Sequence, residues 1–195
     1  MSRNLYIIIS LCLACFYIQA ADQASELTKE QKLYLALEHE AQHGSKSMYL
    51  ALTKKLANYS LLPYAESLYL QRFLSYSNRD RIRGFLSEHQ GQPYSHGLRK
   101  RWLNYLVKHG YKKSLVDDYQ DIGDPRLSCY WLRWQLQLGK PASEILPQVT
   151  PFWLAPKSQP KACDPLFKLW IESGYLSSEV ALERLILAAK GKNWS

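Results

Sequence analysis

Past its first twenty residues the sequence has no apolar run long enough to cross a membrane, no β-branched alternation and only two cysteines. The first lack leaves no candidate transmembrane helix, which needs roughly 20 consecutive apolar residues. The second removes the pattern of half-buried strands and argues against a sheet. The third leaves room for one disulfide at most. Acidic charge is also in short supply, with 17 Asp and Glu against 25 Lys and Arg, a net charge of +8.

What is present begins with the N-terminus. Arg3 precedes an almost uninterrupted apolar stretch, Leu5 to Tyr17, and Ile18-Gln19-Ala20 offers a small residue before the polar Ala21 to Gln23. Positive charge, short apolar core and small residue occur in the order of a secretory signal. The chain is therefore expected to be exported, with residues 1–20 as the signal peptide and 21–195 as a mature domain. A lipoprotein variant would lipidate Cys15 after Leu13-Ala14, but Cys12 stands where such a box usually has Leu. Cleavage removes only Arg3 from the charge count, leaving +7. A basic exported chain is drawn to anionic partners, and export excludes nucleic acid as the natural one.

Of the four cysteines, Cys129 and Cys163 survive processing. In an oxidising compartment a single disulfide is the natural reading, the alternative being two buried thiols that never meet.

The remaining punctuation is that of short helices. Thr28 and Gln31 form a capping box ahead of Leu33, Leu37 and Ala41, and Gly44 ends the run. Further helices are expected from Ser45 to Ala57, Pro63 to Leu74, Asp80 to His89, through Leu98, Trp102, Tyr105 and Leu106 to Gly110, and from Lys113 to Tyr119. Asp124-Pro125 and Asp164-Pro165 are two copies of an N-cap and first-turn pair. The first opens a stripe of Leu127, Trp131, Trp134 and Leu138, with Tyr130, Leu132 and Leu136 on other faces, so this helix is expected to be buried on most sides. The second opens Leu166 to Ile171. Four prolines between Pro147 and Pro160 predict a rigid, irregular connection anchored by Phe152 and Trp153. Ser177 or Ser178 opens a last helix through Val180, Leu182, Leu185, Ile186 and Ala189. Short helices with short turns argue for an all-α fold, an α-superhelix or solenoid of antiparallel pairs. No tetratricopeptide signature is found.

Particular residues carry a resemblance. The stretch Lys157-Ser158-Gln159-Pro160-Lys161-Ala162-Cys163-Asp164, continuing PLFKLWIESG to Gly174, is similar to the Lys-Ser-Gln-Pro-x-Ala-Cys-Asp-x-Leu-Phe-x-x-Trp motif of soluble lytic murein transglycosylases. Cys129-Tyr130 with Trp134 resembles that family's first cysteine helix. Tyr59-Ser60-Leu61-Leu62-Pro63-Tyr64 resembles its Tyr-Pro-Leu-x-Pro-Tyr segment, departing at Ser60, and LERLILAAKGKN resembles its next helix. The resemblance implies a periplasmic protein of Gram-negative bacteria whose N-terminal helices form a superhelical ring. It also implies a Cys129–Cys163 disulfide. The family's lysozyme-like domain cleaves the MurNAc–GlcNAc bond, leaving a 1,6-anhydro-MurNAc end, and that domain has no counterpart in these 195 residues.

The family's chemistry needs one Glu as general acid and then base, opening a Glu-Ser pair followed by Gly-Leu-Met-Gln. Glu66-Ser67 and Glu172-Ser173 copy only the dipeptide, so they are read as scaffold. His39-Glu40-Ala41-Gln42-His43 is a literal zincin HExxH, for which Glu66 would be a third ligand. At about 100° per residue, however, His39 and His43 fall roughly 200° and 240° round from Leu37, on the solvent side. No metal site and no cofactor are expected, and His96 and His109 show no partner. Arg99, Lys100, Arg101 and Lys108, with Lys112, Lys113, Trp102 and Tyr105, make a basic and aromatic patch. It is either a murein-contacting surface or a solvated helix face whose aromatics are its buried side.

The expected function is a periplasmic helical scaffold segment tied to peptidoglycan cleavage and turnover, itself non-catalytic. Its partners would be murein and a periplasmic protein or the absent catalytic domain. The alternative is a free-standing helical-repeat module for protein interaction.

Overall fold

A computed structural model describes residues 26–191 of the chain. The expected signal peptide, with Cys12 and Cys15, lies outside the described residues. Every regular element among these residues is helical, as the missing strand pattern requires. The chain divides into two compact units, Met1–Glu66 and Ser67–Ser195.

The first unit is built on a helical hairpin, α1 (Lys29–Gln42) and α2 (Lys46–Lys55). The capping box is formed: Thr28 Oγ1 accepts from the Gln31 N–H, and Gln31 Oε1 accepts from the Thr28 N–H at 2.8 Å. Tyr34, Leu37 and Ala41 are buried on α1, Tyr49 and Leu52 on α2. Tyr34 also packs its ring on Tyr59, centroids 5.4 Å apart. The division falls inside α3 (Leu62–Arg72).

The second unit continues with a 3₁₀ turn (Tyr76–Asn78), α4 (Arg79–Glu88), α5 (Pro93–His109) and α6 (Lys112–Asp118). The long α5 starts on Pro93 and stops at Gly110, whose left-handed φ of 72° ends the helix at the expected residue. Its apolar arc of Leu98, Trp102, Leu103 and Leu106 is fully buried against Ile82, Phe85, Leu86 and Leu115.

The helix α7 (Pro125–Gln137) lies between two cores. It gives Leu127 and Trp134 to the first and Cys129 and Leu132 to the second. Asp124 caps it, its carboxylate accepting from the N–H groups of Arg126 and Leu127. The expectation of burial on most sides is met, but the stripe is not the predicted one. Leu138 is exposed and Trp131 half-buried, because α7 ends at Gln137 and the second core claims the Cys129 and Leu132 side.

Two further expectations need correction. The proline-rich segment from Pro147 is helical over its first half: a 3₁₀ turn (Leu146–Val149) and α9 (Thr150–Trp153) continue without a break from α8 (Ala142–Ile145). Pro147 and Pro151 fall in first turns, where no N–H bond is lost, and Ile145, Leu146 and Val149 are buried. Phe152 and Trp153 do anchor the second core. The second Asp-Pro pair is not a cap. Asp164 is already helical, at φ −55° and ψ −45°, because a 3₁₀ turn (Lys161–Cys163) leads into α10 (Asp164–Glu172).

Cys129 and Cys163 are joined by a disulfide that ties α7 to this turn inside the second core. The last helix, α11 (Ser178–Lys190), is capped by Ser177 and buries no residue. None of the helices among the described residues is long and apolar enough to cross a membrane.

Candidate basic groove

On α5 the basic residues separate by helical phase. At about 100° per residue, Lys108 lies roughly 180° round from Arg99, and Lys100 and Arg101 lie between or close to it. Lys100, Arg101 and Lys108 are exposed and line an open groove of about 710 Å³ with Gln71, Asn104, Tyr105 and His109. No acidic side chain lines it. The groove therefore presents positive charge, carboxamides and one aromatic edge to solvent.

Tyr105 is the aromatic that reaches this surface. Its hydroxyl accepts from the Tyr76 N–H at 3.1 Å, and its ring packs on His109 with centroids 4.3 Å apart. Trp102 stands behind it, stacked on Tyr105 but wholly buried, its indole N–H donating to Asp118 at 2.8 Å. Trp102 thus leaves the expected patch and meets no external ligand. Its place in the Leu98–Trp102–Leu106 stripe is the sequence signal for this burial. His109, which showed no partner in sequence, is by contrast part of the groove, one turn beyond Tyr105.

Arg99 also leaves the patch. It is half-buried on the core-facing side of α5 and donates to the Leu86 carbonyl at 3.2 Å. It stands on the shared rim of two depressions. One, of about 300 Å³, holds Arg83, Asp118 and Gln120; the other, of about 490 Å³, holds His96, Gln120 and Asp121. Burial pushes the Arg99 guanidinium below its ordinary value, against the opposing attraction of Asp118. Asp118 is itself committed, because Arg83 Nε donates to both its oxygens, at 2.8 and 3.0 Å. That hydrogen bond raises Arg83 above its ordinary value. Lys112 and Lys113 sit on α6, where Lys113 pairs with Asp117 at 3.1 Å.

The two Glu-Ser pairs lie on α3 and at the end of α10. Ser67 is buried and its hydroxyl donates to the Tyr94 carbonyl at 2.6 Å, while Glu66 is half-buried on α3. Glu172 is exposed and faces Lys168 one turn back at 3.8 Å. In the HExxH stretch, His39 and His43 are exposed with ring centroids 5.7 Å apart. Glu40 accepts from the Ser45 N–H at 2.7 Å, serving the start of α2. Among the described residues no three His, Cys, Asp or Glu side chains gather closely enough to hold a metal.

No protein-family model matches the chain. Among curated proteins it is 24% identical over 179 residues to the soluble lytic murein transglycosylase of Escherichia coli (strain K12), covering 90% of this chain and 27% of that protein. It is 26% identical over 187 residues to the soluble lytic murein transglycosylase of Salmonella typhimurium, covering 94% and 28%. Among solved structures it matches an inactive mutant of the lytic transglycosylase of Pseudomonas aeruginosa, with a TM-score of 0.69 and 33% identity over 87% of this chain and 27% of that one. It matches the 70 kDa soluble lytic transglycosylase of Escherichia coli with a TM-score of 0.70 and 24% identity. The expected all-α superhelical class is the fold shared with these structures. The chain spans just over a quarter of the length of the relatives it matches.

Proposed function

We propose that this chain, a relative of the soluble lytic murein transglycosylases over nearly its whole described length, is a periplasmic helical scaffold that lies against murein. The observation that carries the reading is the acid-free groove of Lys100, Arg101, Lys108 and Tyr105 on a fold shared with murein-processing enzymes. Murein offers carboxylates to the cations and sugar rings to the exposed tyrosine edge. Exposed ammonium and guanidinium groups bind such a polyanion through many weak, salt-screened contacts rather than one strong one. The chemistry of glycan cleavage is not assigned to these residues: Ser67 is hydrogen-bonded to the Tyr94 carbonyl, and Glu172 faces Lys168 on an exposed helix surface.

The test is sedimentation of the mature protein with purified sacculi. Binding is expected at low salt, weakened several-fold in about 0.3 M salt, where screening shortens to a few ångströms, and lost in the triple variant Lys100→Gln, Arg101→Gln, Lys108→Gln. No release of anhydromuropeptides is expected. Binding that the triple variant retains in full would refute the groove as the contact surface.

A second reading, a module for binding another periplasmic protein, is favoured by α11, where Leu182, Leu185 and Ile186 are exposed. Capture of a single folded partner without sacculus binding would select it.

A further inference from the structure

The murein reading uses one side of α5 and leaves Arg99 on the other unexplained. Relative to Arg99, the fully buried Leu98, Trp102, Leu103 and Leu106 fall at about −100°, −60°, 40° and −20° on the helix. Arg99 therefore projects from the apolar arc itself, where a charged group is costly unless it is paired. Its pairing is incomplete: of the five N–H donors of a guanidinium, one meets the Leu86 carbonyl. The nearby carboxylates are engaged elsewhere, Asp118 by Arg83 and Trp102 and Asp117 by Lys113. Arg99 lines both open depressions, so its side chain is reachable from solvent at their shared rim.

We infer that Arg99 is the anchor of a second binding site, which takes the terminal carboxylate of a short peptide, with the peptide chain lying in the depression of about 490 Å³. The planar fork of Arg99 matches a carboxylate edge to edge, two parallel bonds replacing water. A phosphate dianion is disfavoured relative to a singly charged carboxylate, because Asp117 and Asp118 line one depression and Asp121 the other, and of the two arginines among the described lining residues Arg83 is already paired with Asp118. The rest of the wall suits a peptide: Gln90, Gln92 and Gln120 offer carboxamides, the Gly91–Pro93 backbone runs alongside, and Ile122 supplies an apolar floor. This site is independent of the murein groove, and either stands if the other fails.

The experiment titrates trialanine into the mature protein, followed by NMR of the arginine and glutamine side-chain N–H signals. The same titration is run with trialanine amide and with sodium acetate. Millimolar binding of the free acid is expected, shifting Arg99 Nε–H and Gln120. The amide should bind at least roughly tenfold more weakly, as loss of a charge-assisted pair implies, and acetate more weakly than trialanine. Arg99→Gln should reduce binding to the level of the amide, and Lys168→Gln, on an exposed part of α10, should leave it unchanged. Equal binding of acid and amide, equal binding of acetate and trialanine, an unaffected Arg99→Gln variant, or no binding at all would each overturn the assignment. The amide and acetate comparisons use the unaltered protein, so the answer does not depend on how Arg99→Gln folds.

Discussion

Among single residues, Asp118 does the most. It receives both Arg83 contacts and the indole N–H of Trp102, which is buried in the first core. Asp118→Ala strands that N–H without a partner and is expected to cost about 2–3 kcal/mol by urea unfolding, whereas Asp118→Asn keeps an acceptor for Trp102 and should cost about half as much. Gly44 tests a steric argument in the turn after α1. A Cβ there would collide with the Glu40 carboxylate. That group can swing away cheaply, but in doing so it releases the Ser45 N–H. Gly44→Ala is therefore expected to destabilise by about 1 kcal/mol, the worth of the lost hydrogen bond rather than of a clash. The buried phenol of Tyr34 and the half-buried phenol of Tyr119 titrate above their ordinary value of 10.0, chiefly through desolvation. The folded chain holds these protons after the unfolded chain has released them. Their stabilising contribution is thus complete below pH about 10 and is lost as pH rises through the folded values. Urea midpoints should fall on that alkaline limb, and Tyr119→Phe should flatten the fall.

At the scale of elements, the two Asp-Pro pairs show what sequence can and cannot report. Both read as a cap followed by a first-turn proline. Only Asp124 holds the extended backbone, at φ −104° and ψ 100°, that aims its carboxylate back at the helix. Asp164 enters from a 3₁₀ turn and is helical itself, so its side chain caps nothing. Asp124→Ala should cost about 1 kcal/mol, and Asp164→Ala no more than the few tenths expected from a charge near a helix start. Paired denaturant curves distinguish them. The local signals, periodicity, capping box, Gly110 and Ser177, were legible because they are set within one turn of chain. What was not legible depends on a second element. Trp102 belongs to the core because α4 and α6 cover it, the exposure of Leu138 follows from where α7 stops, and the helical prolines are fixed by burial of Ile145 and Val149. The groove was legible only in part for the same reason: its cations share one helix, α5, but Gln71 comes from α3 and Arg99 turns inward.

For the molecule as a whole, α7 and α11 are the extremes of the second unit. α7 contributes to both cores and is bonded covalently through Cys129 to the turn before α10. Closing that loop, of sequence separation 34, is worth on the order of 3–4 kcal/mol in the chain-entropy model. Reduction, or the double variant Cys129→Ala, Cys163→Ala, should lower the unfolding free energy by about that much. α11 is held by little. Arg184 donates to the carbonyls of Trp153 and Ala155 and lies over the Trp153 ring, while Val180 packs at the core edge. Its other side exposes Leu182 at 56% and Leu185 at 55%. Local opening is cheapest where few apolar contacts must be broken. Amide exchange in α11 should therefore proceed by local fraying, well below the free energy of global unfolding, while α7 amides exchange only with the global event. Arg184→Ala should speed exchange in α11 and leave α7 unchanged. Leu182→Lys with Leu185→Lys should shift stability by less than about 0.5 kcal/mol, as surface changes do. A larger loss, accompanied by dissociation of an oligomer in sedimentation, would mean that this apolar face is covered in solution by another copy of the chain.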